Sequence, residues 1–336
     1  MKINDEIIIE LKETAIGYRD KSTSKKLVKE GITIHALKGE LVALIGGNGI
    51  GKSTLLKTIA GFLTPVGGRL LVEKRPVFSF SDAELALEMS YVSTEIVRVS
   101  NLSVFELVAL GRFPHTNWLG KLTNDDRLKV EEAIHLVGLE GYESRMINQI
   151  SDGERQRAMI SRALAQDTRI IILDEPTAFL DVSNKYEIVH ILHRLAEEKD
   201  KTIIFSTHDL NTAIAESDRI WLMLKENVVQ GSPEDLILNG YFEKLFANNH
   251  LFFDLEKGDF RIKKLTTRKV VVNGAGNRLL WTIKALERIG MEISHDENCE
   301  LKILINDENN DWELFKANNQ FNFNQLYDLC RFLKSS

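Results

Sequence analysis

The sequence predicts an α/β fold, and two features of its hydrophobic pattern support this prediction. Short apolar runs alternate along the chain with segments whose apolar residues recur at helical spacing. The runs are almost continuously hydrophobic, which is typical of strands buried on both faces of a sheet. The predicted strands are residues 7–11, 41–45, 170–173 and 202–206, and the predicted helices are 54–62, 126–137 and 186–196. Residues 95–165 show no strand pattern, which indicates a helical insertion.

Composition excludes several classes of protein. The 336 residues include 43 Lys+Arg and 49 Asp+Glu, a net charge of −6, and aromatic residues make up 8%. These values exclude collagen-like, disordered and disulfide-scaffold chains, and the negative charge argues against a nucleic-acid binder. The two cysteines, Cys299 and Cys330, favour a reducing compartment. No apolar stretch approaches ~18 residues and the N-terminus lacks a signal-peptide core, so we expect a cytoplasmic protein.

A shift in composition predicts two domains. All five prolines lie before residue 240, and both cysteines lie after it. Residues 241–336 carry 14 Lys+Arg and 14 Asp+Glu, so the first part of the chain accounts for the whole net charge. We therefore predict domains at 1–240 and 241–336, joined by a linker within 232–265.

A glycine-rich loop follows the strand predicted at 41–45. Residues 46–53, GGNGIGKS, fit the pattern G-x-x-x-x-G-K-[ST], and a predicted helix follows. Glycines let backbone N–H groups turn towards phosphate oxygens, and the helix N-terminus adds partial positive charge. A plain glycine-rich turn with an exposed lysine is the alternative, which the flanking strand and helix disfavour. The predicted nucleotide-binding residues here are Gly46, Asn48, Gly49, Gly51, Lys52, Ser53 and Thr54, with Lys52 on the β/γ-phosphates and Ser53 on Mg²⁺.

A second motif ends the strand predicted at 170–173. Asp174 and Glu175 follow it directly, which delivers two carboxylates to the carboxyl edge of the sheet. Asp174 would hold Mg²⁺ through its water shell, and Glu175 would act as general base on the attacking water. A solvated aspartate at a strand end is the alternative for this motif alone. With the phosphate loop, the pair predicts a nucleoside triphosphatase.

Further motifs resemble the ABC (ATP-binding cassette) ATPases. Residues 150–156, ISDGERQ, resemble the family's signature motif, and Leu180-Asp181 resembles its D-loop. His208 resembles the switch histidine, and Tyr18 resembles the aromatic residue that stacks on adenine. The motifs occur in the family's order and span about residues 5 to 235. The resemblance implies a P-loop NTPase cassette with a mixed sheet core and a helical subdomain at about 95–165, followed by a small C-terminal α/β module.

The family's mechanism is implied by the same resemblance. Two ATP molecules bind between two cassettes, where Ser151 and Gly153 would face the phosphate loop of the other subunit, with Asp181 nearby. His208 would contact the γ-phosphate and, with Glu175 and Lys52, form the catalytic group. We therefore expect an ATP-dependent homodimer with ATP and Mg²⁺ as ligands, and a chain that is mostly monomeric without ATP.

Two positions depart from the family pattern. The Q-loop glutamine is absent, and alignment places Thr94 there with Glu95 next. Thr94 could offer a hydroxyl to Mg²⁺ or water, and Glu95 could reach the same place with a carboxylate. Asp152 stands where the family usually has glycine, and its carboxylate would repel a γ-phosphate unless it points away or caps the helix.

Residues 108–115, VALGRFPH, resemble the ATPase subunits of iron-siderophore, haem and cobalamin importers. We therefore expect permease subunits, a substrate-binding protein and a location on the inner face of the membrane. Phe105, Leu107, Phe113 and Trp118 are candidate permease contacts. Packing in the core of the helical subdomain is the alternative for all four, and it is favoured for Leu107. Other functions left open are a cassette protein acting on nucleic acid or ribosomes, and a weakly hydrolysing regulatory subunit. The chain carries neither a second cassette nor a coiled-coil insertion, which disfavours the former.

The C-terminal segment shows a β-α-β-α pattern. We predict strands at 269–273 and 301–305 and helices at 277–289 and 323–333. Gly274-Ala275-Gly276 begins like a dinucleotide-binding pattern, but Leu279 occupies the position of the third glycine, which favours a plain turn. The module could regulate, dimerise or brace the cassette. No His/Cys spacing supports a metal site at Cys299 or Cys330.

Overall fold

The computed structural model describes residues 6–19, 25–94, 102–116, 120–245, 251–255, 258–262, 268–296, 298–306, 311–317 and 319–335. It consists of two compact units, Met1–Ala247 and Asn248–Ser336. The composition shift had placed this division at residue 240. Within the described part of the chain, no helix is both long and apolar enough to cross a membrane.

The first unit contains ten strands and nine helices among its described residues. The strands are β1 Ile7–Arg19, β2 Lys25–Leu37, β3 Leu41–Gly46, β4 Gly67–Val72, β5 Arg75–Pro76, β6 Met89–Val92, β7 Ile170–Leu173, β8 Thr202–Ser206, β9 Arg219–Met223 and β10 Val228–Gly231. The helices are α1 Lys52–Ile59, α2 Asp82–Glu88, α3 Val104–Ala109, α4 Asn124–Leu136, α5 Asp152–Ala165, α6 Val182–Lys199, α7 Leu210–Glu216, α8 Pro233–Leu238 and α9 Tyr241–Leu245. Short 3-10 turns connect several of them.

The core of this unit is a six-stranded mixed sheet in the order β10-β9-β3-β8-β7-β6. Strands β9, β3, β8, β7 and β6 run parallel, and β10 is antiparallel to β9. All residues of β3, β7 and β8 are buried, which confirms the strand predictions made from their continuous hydrophobicity. Because these three strands are parallel neighbours, their carboxyl ends lie at one edge of the sheet.

A four-stranded sheet, in the order β2-β1-β4-β5, packs against the core sheet. Its inward residues form one hydrophobic cluster with α1 and the core strands. Ile9, Leu11, Leu55, Ile172 and Trp221 are all fully buried there. Each such side chain contributes roughly 1.5–3 kcal/mol through burial. The cluster fixes α1, and therefore the loop that precedes it, against the sheet.

The predicted helical insertion contains α3, α4 and α5, and each begins with a capping box, which satisfies N–H groups of the first turn. A buried ion pair connects the turn after α3 to the start of α4, since Arg112 Nε lies 2.9 Å from Asp126 Oδ1. Arg112 also donates to the Ala165 carbonyl at the end of α5. Leu107 is buried in this insertion, as the core alternative predicted.

The second unit contains a five-stranded sheet in the order β14-β13-β15-β16-β17 and a separate hairpin of β11 and β12. Its elements are β11 Leu251–Asp254, β12 Asp259–Ile262, β13 Arg268–Asn273, α10 Gly276–Arg288, β14 Met291–Ile293, β15 Leu301–Asn306, β16 Asp311–Lys316, β17 Asn319–Phe323 and α11 Leu326–Ser335. Both helices pack on one face of the five-stranded sheet.

The predicted β-α-β-α order for this unit was incomplete. Strands β11, β12, β14, β16 and β17 were missed, and the helix predicted from residue 323 begins at Leu326. β14 has only three residues, and β17 (NQFNF) is rich in polar residues because one side of it is exposed. In β16, Trp312 and Leu314 are buried on one face, a period-two pattern that was present in the sequence.

Candidate functional site

The glycine-rich loop connects the end of β3 to the start of α1 and leaves an open cradle. Gly49 and Gly51 have φ values of 72° and 113°, a region that favours glycine. A β-carbon on Gly51 would lie 2.5 Å from Val28, whereas one on Gly47 or Gly49 would meet no atom within 4 Å. Space is therefore open at Gly47 and Gly49, and the loop leads directly into the N-terminus of α1, where backbone N–H groups favour a phosphate group.

Lys52 is buried at the first position of α1, with 6% of its surface exposed. Its Nζ donates to the carbonyl of Gly46 at 3.0 Å and lies 3.4 Å from that of Gly47. Burial lowers the pKa of Lys52, while the nearby Glu175 and Asp174 oppose that shift. The alternative of a turn with an exposed lysine is wrong for this chain.

Asp174 and Glu175 follow β7 at the same edge of the sheet. Asp174 is 4% exposed, and the Ser206 hydroxyl donates to its Oδ1 at 2.8 Å. The Tyr91 hydroxyl lies 3.4 Å from the other carboxylate oxygen. The Asp174 carboxylate and the exposed Ser53 hydroxyl are oxygen ligands of the kind that Mg²⁺ prefers.

Glu175, His208 and Lys52 lie next to one another at the edge of the sheet. Glu175 Oε1 lies 2.6 Å from His208 Nε2, and the same ring nitrogen lies 3.4 Å from Lys52 Nζ. His208 follows β8 and Glu175 follows β7, so neighbouring parallel strands bring them together. The structure thus gathers the three residues predicted to be catalytic at the open end of the loop.

Tyr18 lies in β1, and its hydroxyl is 3.0 Å from Thr54 Oγ1. Nearly half of the Tyr18 surface (47%) is exposed, whereas Thr54 is buried. This contact holds the Tyr18 ring against the first turn of α1, directly after the phosphate loop.

Ser151 is the N-cap of α5 and is engaged with Glu154. Its hydroxyl accepts the Glu154 N–H and donates to the Glu154 carboxylate at 2.8 Å. A β-carbon on Gly153 would lie 2.5 Å from Asn184 Oδ1, so glycine lets the start of α5 approach α6. Asp181 is the N-cap of α6 and accepts the Asn184 N–H at 2.8 Å. Asn184 therefore connects Gly153 to Asp181.

Asp152, the first residue of α5, is paired with Arg155 rather than with a group of the phosphate loop. Its Oδ1 accepts from Arg155 at 2.7 Å, and its side chain is 70% exposed. A carboxylate in the first turn also interacts favourably with the helix dipole. Both contacts account for an aspartate at this position.

Thr94 donates its hydroxyl to the backbone carbonyl of Asp174 at 2.9 Å. Its proton is thus used within the protein, and only its lone pairs remain for a metal or water. Glu95 and Trp118, which were also considered in the sequence, lie outside the described residues.

Three residues at the site were missed in the sequence: Ser206, Tyr91 and Asn184. Ser206 had a detectable signal, since it is the hydroxyl at the end of an otherwise apolar buried strand that leads to His208. Tyr91 and Asn184 gave no such signal, because tyrosine and asparagine are common in partly exposed strands and helix starts.

A groove of about 480 Å³ lies on the helical insertion. It is lined by apolar residues of α3 and the following turn, among them Phe105, Leu110 and Phe113. Phe113 and Leu110 are 74% and 53% exposed, so the groove presents an apolar surface to solvent. Two of the predicted permease contacts, Phe105 and Phe113, thus line one concave surface.

Two family models match parts of this chain. The family model "ABC transporter" matches residues 30–178, and "Iron ABC transporter C-terminal domain" matches residues 267–334. The petrobactin import ATP-binding protein FpuC of Bacillus anthracis is 36% identical over 73% of this chain and 91% of its own length. The iron(3+)-hydroxamate import ATP-binding protein FhuC of Bacillus subtilis is 35% identical over 70% of this chain and 86% of its own.

Solved structures show the same fold. CbiO1 of Clostridium perfringens, part of the ABC transporter complex CbiONQ, has a TM-score of 0.61 at 29% identity, covering 69% of this chain and 91% of its own. The dimeric bacterial cassette MJ0796 has a TM-score of 0.59 at 27% identity, covering 67% and 99% respectively. The P-loop cassette fold predicted from the sequence is confirmed. The chain belongs to the ATP-binding subunits of ABC transporters, the ATPases that power transport.

Proposed function

We propose that the chain hydrolyses ATP to power the import of an iron chelate through a separate membrane permease. The observation that carries the hydrolytic part is the line of Glu175, His208 and Lys52 at the open end of the phosphate loop, with contacts of 2.6 and 3.4 Å. A base, an orienting imidazole and a cation thus converge where the γ-phosphate of a bound nucleotide would lie.

Binding of ATP is divided between the loop and its surroundings. The open cradle at Gly47 and Gly49, together with the N–H groups at the start of α1, receives the phosphates. Gly46, Gly51, Asn48 and Thr54 shape the same loop, and the exposed ring of Tyr18 stacks on the adenine.

Mg²⁺ fits the oxygen donors present at the site. Ser53 and Asp174 would hold it, with Asp174 acting through water, and Thr94, whose hydroxyl contacts the Asp174 carbonyl, would be a further oxygen ligand. When bound, the metal neutralises negative charge on the phosphates.

Glu175 accepts the proton of the attacking water, and His208 orients that water and the γ-phosphate. Lys52 places its positive charge among the phosphate oxygens. Positioning and electrostatic stabilisation supply most of the catalysis in such reactions. The short contact between Glu175 and His208 supports this division of roles.

A second copy of the chain completes the site. Ser151 and Gly153 at the start of α5, with Asp181 at the start of α6, act on the ATP held by the partner's phosphate loop. The dimer of the related MJ0796 cassette supports this arrangement. For the Ser151 hydroxyl to donate to a phosphate, it must release the Glu154 carboxylate that it contacts now.

The cargo and the other partners follow from the relatives. FpuC and FhuC are named for petrobactin and iron(3+)-hydroxamate import, and the C-terminal unit matches a domain named for iron transporters. We infer a chelated iron cargo, a permease seated in the groove at Phe105 and Phe113, and a substrate-binding protein on the far side. The chain then works at the inner face of the membrane.

Uptake of radioactive iron tests this proposal. In cells of the source organism from which the gene for this chain is deleted, the wild-type chain should restore uptake of iron bound to a hydroxamate or catecholate chelator. Lys52→Ala should not restore it, whereas the exposed Lys12→Ala should serve as the active control. If the chain hydrolysed ATP but iron uptake were the same in cells with and without it, the proposed cargo would be contradicted.

A further inference from the structure

The peptide unit that joins Asp174 to Glu175 is held at both of its polar ends. Its carbonyl, that of Asp174, accepts a hydrogen bond from the Thr94 hydroxyl at 2.9 Å. Its N–H, that of Glu175, donates to Ser206 Oγ at 2.8 Å. The two hydroxyls come from different parts of the chain, one following β6 and the other ending β8, on either side of β7.

Ser206 makes a second contact that fixes the direction of its bonds. Its Oγ also lies 2.8 Å from Asp174 Oδ1. An amide N–H can only donate, so Ser206 must accept from Glu175, and its single proton then goes to the Asp174 carboxylate. Ser206 is fully buried, so both of its hydrogen bonds lie away from bulk solvent. One hydroxyl therefore orients the backbone of Glu175 and the carboxylate of Asp174.

The peptide needs such support because Glu175 has a φ of 51°. This left-handed conformation is unfavourable for a side chain other than glycine, and it persists only where surrounding contacts hold it. Rotation of this peptide plane would turn the Glu175 side chain away from His208. The contacts at the two ends of the peptide oppose that rotation.

We propose that Ser206 and Thr94 are positioning residues that clamp the Asp174–Glu175 peptide and thereby hold both carboxylates in place for ATP hydrolysis. The catalytic consequence rests on the proposed function of Glu175 as base. Thr94 stands where a glutamine is usual in the family. In this chain its hydroxyl holds the backbone carbonyl of Asp174.

Amide hydrogen exchange in the nucleotide-free protein measures the clamp directly. The Glu175 amide should be protected in the wild-type chain, and Ser206→Ala should raise its exchange rate about tenfold or more. Thr94→Val keeps the side-chain shape and removes the hydroxyl, so it should raise the same rate. Ser206→Thr restores a hydroxyl and should restore protection. Unchanged exchange in Ser206→Ala would overturn the proposal.

Hydrolysis provides the second measurement. Ser206→Ala and Thr94→Val should lower kcat by about tenfold to a hundredfold, with ATP affinity changed less than about threefold. Ser206→Thr should recover most of the wild-type kcat. Ser161→Ala is the matched control, because Ser161 is fully buried and, among the described residues, its hydroxyl has no hydrogen-bond partner. An equal loss of kcat in Ser161→Ala, or a loss in ATP affinity alone, would contradict a positioning role.

The two measurements separate the clamp from the proposed function. If the wild-type chain bound ATP but did not hydrolyse it, the role of Glu175 as base would be wrong. Amide exchange in the nucleotide-free chain would still show whether Ser206 and Thr94 hold the Asp174–Glu175 peptide. If Ser206→Ala failed to fold, Thr94→Val and Ser206→Thr would carry the test.

Discussion

The Nε2 atom of His208 lies 2.6 Å from Oε1 of Glu175. A carboxylate can only accept a hydrogen bond, so the hydrogen-bond network assigns the proton to Nε2. Nε2 then cannot accept from Lys52, whose ammonium is satisfied by the carbonyl of Gly46 instead. His208 therefore belongs functionally with Glu175, and Lys52 belongs with the phosphate loop.

Replacing His208 by Ala should lower kcat by about a hundredfold or more, because Glu175 loses the group that orients it and the water. The ATP affinity should change little, since Lys52 and the loop glycines are untouched. Steady-state hydrolysis over a range of ATP concentrations separates the two parameters. His193→Ala, on the surface of α6, is the control. A variant with higher KM and normal kcat would place His208 in binding rather than in catalysis.

The buried Lys52 should make the nucleotide-free fold less stable at neutral pH. Its pKa is lowered in the folded state by burial, so the unfolded chain binds its proton more readily. This penalty is present below the folded pKa and is relieved as pH rises from there towards the unfolded value near 10.5. Lys52→Met removes the titrating group. The Tm of the variant relative to that of the wild type should therefore decrease as pH rises from 7 to 10.

Thermal unfolding of both proteins without nucleotide measures this difference, with the partly exposed Lys57, also on α1, changed to Met as the control. A difference in Tm that is constant across this pH range would show that burial does not lower the pKa of Lys52. Addition of MgATP should raise the Tm of the wild type and leave Lys52→Met nearly unaffected.

Asp152 provides a prediction about the dimer. Its exposed carboxylate stands beside the serine proposed to meet the partner's ATP, so Asp152→Gly should remove a repulsion and tighten the ATP-driven dimer. The change should also lower the stability of α5 by roughly 0.5–1 kcal/mol, because glycine is a poor helix former and the dipole loses its counter-charge. Sedimentation with MgATP, in a background of Glu175→Gln, measures the dimer constant. Dimerisation that stays the same or weakens would refute the repulsion.

Much of the cassette could be predicted because its chemistry is local in sequence. The strands at 170–173 and 202–206 are confirmed residue for residue, since burial on both faces makes them continuously apolar. Lys52 and Glu175 are marked by motifs that directly follow such strands. Long antiparallel partners such as β2, and short strands such as β14, were not marked, because pairing between distant segments leaves little local pattern.

The support of the site was harder to predict than its chemistry. Ser206 and Thr94 meet at one peptide only because β6, β7 and β8 are neighbours in the sheet, and strand order is not written in any single segment. The pairing of Asp152 with Arg155 could have been foreseen, since the two residues are three apart on a helix. The contact of Gly153 with Asn184 required the packing of α5 against α6.

Steady-state ATP hydrolysis by the purified chain and by Glu175→Gln tests the central claim most directly. The wild type should hydrolyse ATP in the presence of Mg²⁺. Glu175→Gln should lose turnover while binding ATP with similar affinity, because the amide preserves the shape of the side chain but cannot take the proton. Glu198→Gln, in an exposed ion pair with Arg194, should behave as the wild type. Retained turnover in Glu175→Gln would contradict the assignment of Glu175 as the base.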